Sequence, residues 1–217
     1  MVKVKICGIT SAEAFDTAVD AGADWVGFNF FPPSPRYVTP QAAAALSARV
    51  AGGPPRVGLF VNPSMEQVAA VLDIARLDIL QLYGPLEDVA AWRARFGLPV
   101  WRPVGIETQA DLPTGDLGAD ALLLEAKPPP AATRPGGNAT VFDWRVLAGW
   151  RAPCPWILAG GLTVENVREA VRVTGASAVD VSSGVERVRG VKDLGLIRGF
   201  LGVLRGGGVL IDRNQRS

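Results

Sequence analysis

The sequence predicts an α/β protein with a single-domain fold, the closed (β/α)8 TIM barrel. The hydrophobic period alternates between two and about 3.6 along the chain, as it does in repeated βα units. Eight such units fit into 217 residues, a length typical of one barrel domain. The first strand ends in Cys7-Gly8-Ile9-Thr10. A dinucleotide-binding open sheet would need Gly-x-Gly-x-x-Gly at this place, so the barrel is favoured over the open sheet.

Eight strand-like runs define the units, and helical patterns lie between them. The runs cover residues 2–7, 25–30, 56–61, 79–82, 100–104, 121–125, 156–159 and 178–181. Several helix starts are marked by the sequence. Thr10 with Glu13, and Ser64 with Gln67, have the spacing of capping boxes, and Thr39 precedes a helix-opening proline. We therefore expect helices to begin at these three places.

Glycines mark where three of the helices end. Gly22, Gly97 and Gly175 follow the first, fourth and seventh helical patterns, where a residue with positive φ is favoured. The fifth unit is different because Asp-Leu-Pro-Thr-Gly at 111–115 interrupts any helix. We expect only a short turn there.

Two segments fall outside the regular pattern. Residues 126–141 are rich in Pro, Gly and Ala and are too long for an ordinary βα connection, which predicts a functional loop or lid. Periodicity is lost after three glycines near the end of the chain. The barrel is therefore expected over 1–205 and a flexible tail over 206–217.

Composition excludes several classes of partner. The 22 basic and 21 acidic residues are dispersed, so no basic block is available for nucleic acid. The first residues form a charged strand rather than a signal peptide, and no apolar run approaches the ~18 residues of a membrane span. These features predict a cytoplasmic protein with no nucleic-acid or membrane partner. Two separated cysteines and no histidine predict neither a disulfide nor a metal site.

The absence of histidine directs attention to Cys7. Acid–base chemistry near neutral pH must then use thiol, carboxyl or amine groups. The period of two places Lys5 and Cys7 on one face of the first strand, and an ammonium group near a thiol favours the thiolate. Two interpretations stay open. Lys5 could activate Cys7, or Cys7 could be a small buried side chain above an interior structural charge.

Small residues follow the last two strands. Gly160 and Gly161 end the seventh, and Ser183 and Gly184 follow the eighth. Glycines let backbone amides approach an anion, and these two loops are the usual phosphate site of such barrels. Tight turn geometry explains one Gly-Gly pair well but both loops together less well. A phosphorylated small-molecule substrate is therefore predicted.

Other polar side chains stand at predicted strand ends. Glu125 closes an apolar run, where burial would raise its pKa and make it an acid, unless Lys127 pairs with it and lowers that pKa. Arg36 lies on a proline-stiffened loop and could hold a carboxylate or phosphate, or be an ordinary surface arginine. Gln81 could contact substrate or make a structural hydrogen bond.

In order and spacing, these motifs resemble the phosphoribosylanthranilate isomerase family of tryptophan biosynthesis. The resemblance spans nearly the whole chain and lies in Lys5-Ile6-Cys7-Gly8-Ile9-Thr10, Ser34-Pro35-Arg36-Tyr37-Val38, Gln81-Leu82-Tyr83-Gly84, Phe142-Asp143-Trp144, Leu158-Ala159-Gly160-Gly161-Leu162 and Val179-Asp180-Val181-Ser182-Ser183-Gly184-Val185-Glu186. It implies a barrel without cofactor that performs the Amadori rearrangement of N-(5-phosphoribosyl)anthranilate to 1-(2-carboxyphenylamino)-1-deoxyribulose 5-phosphate.

The resemblance also implies roles for single residues. Cys7 would be the general base, Glu125 the general acid, and Asp180 would steady the developing positive charge or the substrate hydroxyls. Arg36 would hold the anthranilate carboxylate. The remaining contacts are substrate binding by Lys5 and Gln81, and phosphate binding by Gly160, Gly161, Ser183 and Gly184.

Three positions depart from the family pattern. Glu125 replaces an aspartate, Tyr83 replaces a histidine, and Ala139 stands where the family has a glycine. These departures keep two alternatives open: another sugar-phosphate barrel enzyme of altered specificity, and a non-catalytic sugar-phosphate-binding barrel. The sequence does not distinguish a monomer from a homodimer.

Overall fold

Eight parallel strands close into a barrel in chain order. The computed structural model describes residues 1–85, 89–128 and 141–206. The strands are β1 (Lys3–Cys7), β2 (Trp25–Asn29), β3 (Arg56–Val61), β4 (Ile79–Tyr83), β5 (Val100–Ile106), β6 (Ala121–Ala126), β7 (Trp156–Leu158) and β8 (Ala178–Val181). The barrel closes between β1 and β8, where Lys5 lies opposite Asp180. The predicted fold class is confirmed.

Six α-helices, rather than eight, lie in the described ranges. They are α1 (Ala12–Asp20), α2 (Pro40–Ser47), α3 (Met65–Leu72), α4 (Val89–Phe96), α5 (Val167–Thr174) and α6 (Leu194–Arg205). The unit after β5 has the predicted short turn, a 3-10 turn at Gln109–Asp111. The described part of the unit after β6 has a 3-10 turn at Trp144–Leu147.

The remaining elements lie near the chain's C-terminal end. After β8 comes a 3-10 turn at Ser183–Val185 and then an antiparallel hairpin of β9 (Glu186–Val188) and β10 (Val191–Lys192). Most of the predicted lid, 129–140 with Ala139, lies outside the described residues, as does the predicted tail from 207 onward. No helix among the described residues is both long and apolar enough to cross a membrane.

Two of the three predicted helix starts are confirmed. Ser64 and Gln67 form a reciprocal capping box on α3, and the Thr39 hydroxyl accepts the first-turn amide of α2. The prediction for α1 was wrong by one residue, because the side chain of Ser11, not Thr10, accepts a hydrogen bond from the Ala14 amide. The three predicted helix-ending glycines all have positive φ: Gly22, Gly97 and Gly175.

The barrel interior changes from apolar to polar along the strands. At the N-terminal end the buried side chains form an apolar cluster: Val57, Ile79, Trp101, Ala121, Leu123, Ile157 and Ala178. At the C-terminal end Cys7, Leu59 and Tyr83 form a smaller one. Charged and polar side chains, including Lys5, Gln81 and Glu125, are buried in the half of the barrel nearer the C-terminal ends of the strands. The C-terminal mouth, where such barrels place their chemistry, is therefore the candidate site.

Gly27 on β2 makes room for the side chains of β1. It pairs with Cys7 across the strands, and a Cβ at Gly27 would lie 3.0 Å from Cys7 Sγ and 3.1 Å from Cys7 Cα. It would also lie 3.2 Å from Lys5 Cε. The missing side chain therefore allows the thiol and the ammonium stem to fill the interior here.

We predict that Gly27→Ala destabilises the barrel by about 1–3 kcal/mol, because the added methyl group overpacks a buried site next to backbone. Gly115→Ala is the matched control, since Gly115 is exposed and a Cβ there would meet nothing within 4 Å. Urea unfolding measures both variants. Equal stability of the two variants would contradict this interpretation of the packing.

Candidate active site

Lys5, Cys7 and Asp180 form a buried group where β1 meets β8. The side chain of Lys5 is fully buried, and its Nζ lies 2.9 Å from Asp180 Oδ1. Lys5 and Cys7 point to the same side of β1, as the period of two predicted. Lys5 has no exposed surface and forms an interior ion pair, and its contact with substrate stays a prediction.

Burial and the ion pair have opposing effects on the two titrating groups of β1. Burial alone would lower the pKa of Lys5, but the charges of Asp180 and Cys7 outweigh it, so the pKa is raised and the ammonium persists. Burial raises the pKa of the Cys7 thiol, and the positive charge of Lys5 opposes this without cancelling it. The pKa of Cys7 therefore stays above its ordinary value, because desolvation outweighs the charge of Lys5.

Glu125 is a buried carboxyl at the C-terminal end of β6. Only 7% of the residue is exposed, and burial raises its pKa to about 8. A hydrogen bond from the Tyr83 hydroxyl opposes this rise, as does the charge of Lys5, while Asp180 adds to it. Lys127 pairs with Asp111 at 3.2 Å, so the alternative in which Lys127 neutralises Glu125 is excluded. Glu125 is therefore protonated at neutral pH.

Tyr83 and Gln81 lie side by side on β4 below the mouth. Gln81 Nε2 donates to the Tyr83 hydroxyl at 3.4 Å, and Tyr83 in turn hydrogen bonds to Glu125. Gln81 Oε1 is buried and has no partner among the described residues. Tyr83 thus occupies the space between Cys7, with which it clusters, and the carboxyl group of Glu125. Substrate binding by Gln81 stays a prediction.

Arg36 is held in a buried fork rather than lying free on the surface. Its Nε lies 2.6 Å from Glu186 Oε1, and its Nη2 lies 3.0 Å from Oε2. Gly8, with φ of 74°, leaves space for this side chain, since a Cβ there would lie 2.6 Å from Arg36 Cδ. The other N–H groups of the guanidinium donate to no residue in the described ranges. The ordinary-surface interpretation of Arg36 is excluded.

The glycine loops after β7 and β8 meet at the mouth. Gly160 and Gly161 have φ of 82° and 65°. A Cβ on Gly184 would lie 1.8 Å from the carbonyl oxygen of Leu162, which shows how closely the two loops pack. Within the described chain, the amides of these three glycines and of Ser183 donate to no protein acceptor. Unpaired amides from two adjoining loops are the donors that a phosphate group requires.

Together these groups define a barrel enzyme of the acid–base class that acts on an anionic small molecule. A protonated carboxyl and a thiol lie at the C-terminal mouth, together with the Arg36 fork and the unpaired amides of the loops after β7 and β8. Among the described residues no three His, Cys, Asp or Glu side chains are grouped as in a metal site.

Comparison with known proteins identifies the family. The sequence matches the profile of N-(5'-phosphoribosyl)anthranilate (PRA) isomerase over residues 4–203. The N-(5'-phosphoribosyl)anthranilate isomerase of Acidiphilium cryptum (strain JF-5) is 57% identical over 203 residues, which are 93% of this chain and 97% of the relative. The chain belongs to the phosphoribosylanthranilate isomerase family.

Solved structures of similar proteins agree with this. A crystal structure of monomers generated from the dimeric phosphoribosylanthranilate isomerase of Thermotoga maritima is 36% identical and aligns with a TM-score of 0.79 over 95% of this chain and 100% of that one. A phosphoribosyl anthranilate isomerase in complex with reduced 1-(o-carboxyphenylamino)-1-deoxyribulose 5-phosphate is 34% identical, with the same TM-score and coverage.

The structure adds site residues that the sequence did not indicate. Glu186 holds Arg36, Lys192 holds Glu186, and the Ser182 hydroxyl donates to the Cys7 carbonyl at 3.0 Å. Asn29, a polar residue on an apolar strand, bonds to Ser34 and to the Phe31 amide and so has a structural partner. Ser182 and Glu186 belong to a motif that carries the family resemblance, but the motif does not show their partners, and Lys192 lies outside it.

The raised pKa of Glu125 predicts how stability depends on pH. The folded protein retains this proton up to about pH 8, whereas the unfolded chain loses it near 4.5. Folding therefore binds a proton in this window, and stability falls as pH rises from 5 to 8.

We predict that Glu125→Gln removes this pH dependence. The free energy of unfolding of the variant then rises relative to that of wild type by at most about 1.4 kcal/mol for each unit of increase in pH from 5 to 8. Glu107→Gln, which alters an exposed carboxyl, is the control. Urea unfolding at pH 5, 6.5 and 8 provides the measurement. Parallel curves for wild type and Glu125→Gln would show that the carboxyl is not protonated in the fold.

Proposed function

We propose that this chain converts N-(5'-phosphoribosyl)anthranilate to 1-(2-carboxyphenylamino)-1-deoxyribulose 5-phosphate, an isomerisation in tryptophan biosynthesis. The observation that supports it most is the buried pairing of functions at the mouth: Glu125 is an acid at neutral pH, and Cys7 is a thiol that becomes a strong base when ionised. Membership of the isomerase family supports the same reaction.

The first step requires an acid, which we assign to Glu125. The carboxyl donates its proton to the ring oxygen of the ribose, the bond between C1 and that oxygen breaks, and a cationic iminium forms between C1 and the anthranilate nitrogen. With a pKa of about 8, the Glu125 carboxyl retains its proton at neutral pH and is still acidic enough to donate it. Asp180, on strand β8 beside β1, is assigned to stabilise the positive charge.

The second step requires a base, which we assign to Cys7. The thiolate removes the proton from C2. The electron pair of the broken C2–H bond forms the C1–C2 double bond of the enolamine, which tautomerises to the ketone. The raised pKa of Cys7 makes the thiolate a stronger base but reduces its fraction, and Lys5 limits that reduction. Only protons pass between the protein and the substrate, and the oxidation of C2 is balanced by the reduction of C1, so this isomerisation uses no oxidant or reductant.

Two anionic groups of the substrate fit the two remaining features of the mouth. We assign the anthranilate carboxylate to the unpaired edge of Arg36, because a guanidinium binds a carboxylate through two parallel N–H groups. We assign the phosphate to Gly160, Gly161, Ser183 and Gly184, whose amides are unpaired in the described structure. Gln81 is assigned to the substrate because its carbonyl oxygen lacks a protein partner.

The proposal extends to location and assembly. A cytoplasmic enzyme that acts as a monomer or a homodimer is consistent with a biosynthetic family and with a relative described as dimeric from which monomers were generated. The barrel over 1–205 is taken as the catalytic unit.

A non-catalytic barrel is the second candidate, and one specific observation favours it. Glu125 is one methylene group longer than the family's aspartate, and a displacement of about 1 Å can cost on the order of 100-fold in rate. Growth rescue of a tryptophan auxotroph that lacks the isomerase distinguishes the two. The isomerase restores growth, whereas a binding barrel of the same fold does not.

We predict that Cys7→Ala and Glu125→Ala each lower kcat by at least ~100-fold while the fold is retained, because each removes a proton-transfer group. Cys154→Ala is the matched control for the thiol, since Cys154 lies before β7, at the opposite end of the barrel. Turnover of purified protein and circular dichroism give the readouts. Full turnover in both active-site variants would contradict the assigned chemistry.

A further inference from the structure

A buried network centred on Lys192 links the two halves of the candidate binding site. Only 1% of the Lys192 side chain is exposed. Its ammonium group lies 2.9 Å from the Ser182 carbonyl oxygen, 3.2 Å from Ser182 Oγ and 2.9 Å from Glu186 Oε1. The three N–H groups of the ammonium thus donate to three oxygen atoms, all of which belong to the segment that follows β8.

One arm of the network reaches the arginine fork. Glu186 accepts Arg36 Nε and Lys192 Nζ on Oε1, and Arg36 Nη2 and the Gly190 amide on Oε2. All four lone-pair positions of this carboxylate are therefore used. A fully bonded carboxylate fixes the plane of the guanidinium, so the unpaired edge of Arg36 keeps one direction.

The other arm of the network reaches Ser182, which precedes the proposed phosphate-binding amides, and the backbone of Cys7. Ser182 precedes the Ser183 and Gly184 amides, and its hydroxyl donates to the Cys7 carbonyl while it accepts from Lys192. The β9–β10 hairpin that contains Lys192 also packs on the Arg36 loop, since a Cβ on Gly190 would lie 2.5 Å from the Pro35 carbonyl oxygen. Lys192 is thus bonded directly to Ser182 and, through Glu186, is linked to Arg36.

The charges of the network are unbalanced. Arg36 and Lys192 are cations, and within the described ranges Glu186 is the one anion that pairs with them. The neighbouring pair, Lys5 and Asp180, is neutral as a unit. Burying a surplus positive charge is costly unless an anion offsets it, so the network is built for an anionic ligand.

We propose that Lys192 is a positioning residue that holds the carboxylate-binding edge of Arg36 and the phosphate-binding loop in one fixed relation. This rests on the proposed function, which supplies a substrate with a carboxylate and a phosphate at opposite ends. Lys192 touches neither group. It acts through Glu186 on the first and through Ser182 on the second, and its charge adds to the attraction for both.

The test separates the two arms with two probes. Anthranilate presents the carboxylate alone, and ribose 5-phosphate presents the phosphate alone. Binding of each to the full chain is measured by calorimetry for wild type, Lys192→Met and Glu186→Gln. Lys3→Met is the matched control because Lys3 is an exposed lysine at the start of β1, at the end of the barrel opposite the mouth.

We expect Lys192→Met to weaken binding of both probes by at least tenfold and to raise KM far more than it lowers kcat, with Lys192→Arg restoring part of the loss. Glu186→Gln is expected to weaken anthranilate tenfold and to leave ribose 5-phosphate within twofold. Lys3→Met should match wild type in every readout.

Three outcomes would overturn the proposal. They are wild-type affinity of Lys192→Met for both probes, weakening of one probe alone, and equal weakening of both probes by Glu186→Gln. Circular dichroism checks the fold, and if Lys192→Met does not fold, the Glu186→Gln contrast decides. A wild type that binds both probes but does not isomerise the substrate contradicts the proposed function and not the positioning role.

Discussion

The ion pair between Lys5 and Asp180 is the interaction on which the arrangement of the mouth depends. It lies inside the barrel where β1 and β8 close it, and removing one member of such a buried pair typically costs about 3–5 kcal/mol. The two charges of the pair act on the pKa of Glu125 in opposite directions. Because Lys5 lowers and Asp180 raises the pKa of Glu125, their effects oppose each other and burial decides that the carboxyl keeps its proton. The same ammonium group limits the rise in the pKa of Cys7.

The mouth is divided into a neutral centre and a cationic rim. At neutral pH the centre contains a protonated Glu125 and a paired Lys5 and Asp180. The rim has the surplus positive charge of Arg36 and Lys192. This distribution suits a substrate whose reacting ring is uncharged and whose ends are anionic, because anions bind at the rim while proton transfer proceeds in a dry interior.

The barrel could be predicted because periodicity and cap residues are local properties, and the topology then brings Cys7, Glu125 and Asp180 to one end. The proline at 113 likewise predicted the short turn after β5. Local signals failed where two neighbours competed, as Ser11 did with Thr10. The Arg36 fork could not be predicted. Glu186 is 150 residues from Arg36 and is one charge in a polar segment, so only the folded chain shows that the two pair. Burial of Glu125 and its contact with Tyr83 were likewise tertiary properties.

The titration of Glu125 tests the central claim most directly. The ¹³C shift of its carboxyl carbon, followed by NMR in the full chain, gives the pKa without reference to turnover. We expect a midpoint near 8 in wild type, and a higher one in Tyr83→Phe, because that variant lacks the hydrogen bond that favours the carboxylate. A wild-type midpoint near the ordinary value of 4.5 would contradict the account, since Glu125 would then have no proton to donate at neutral pH.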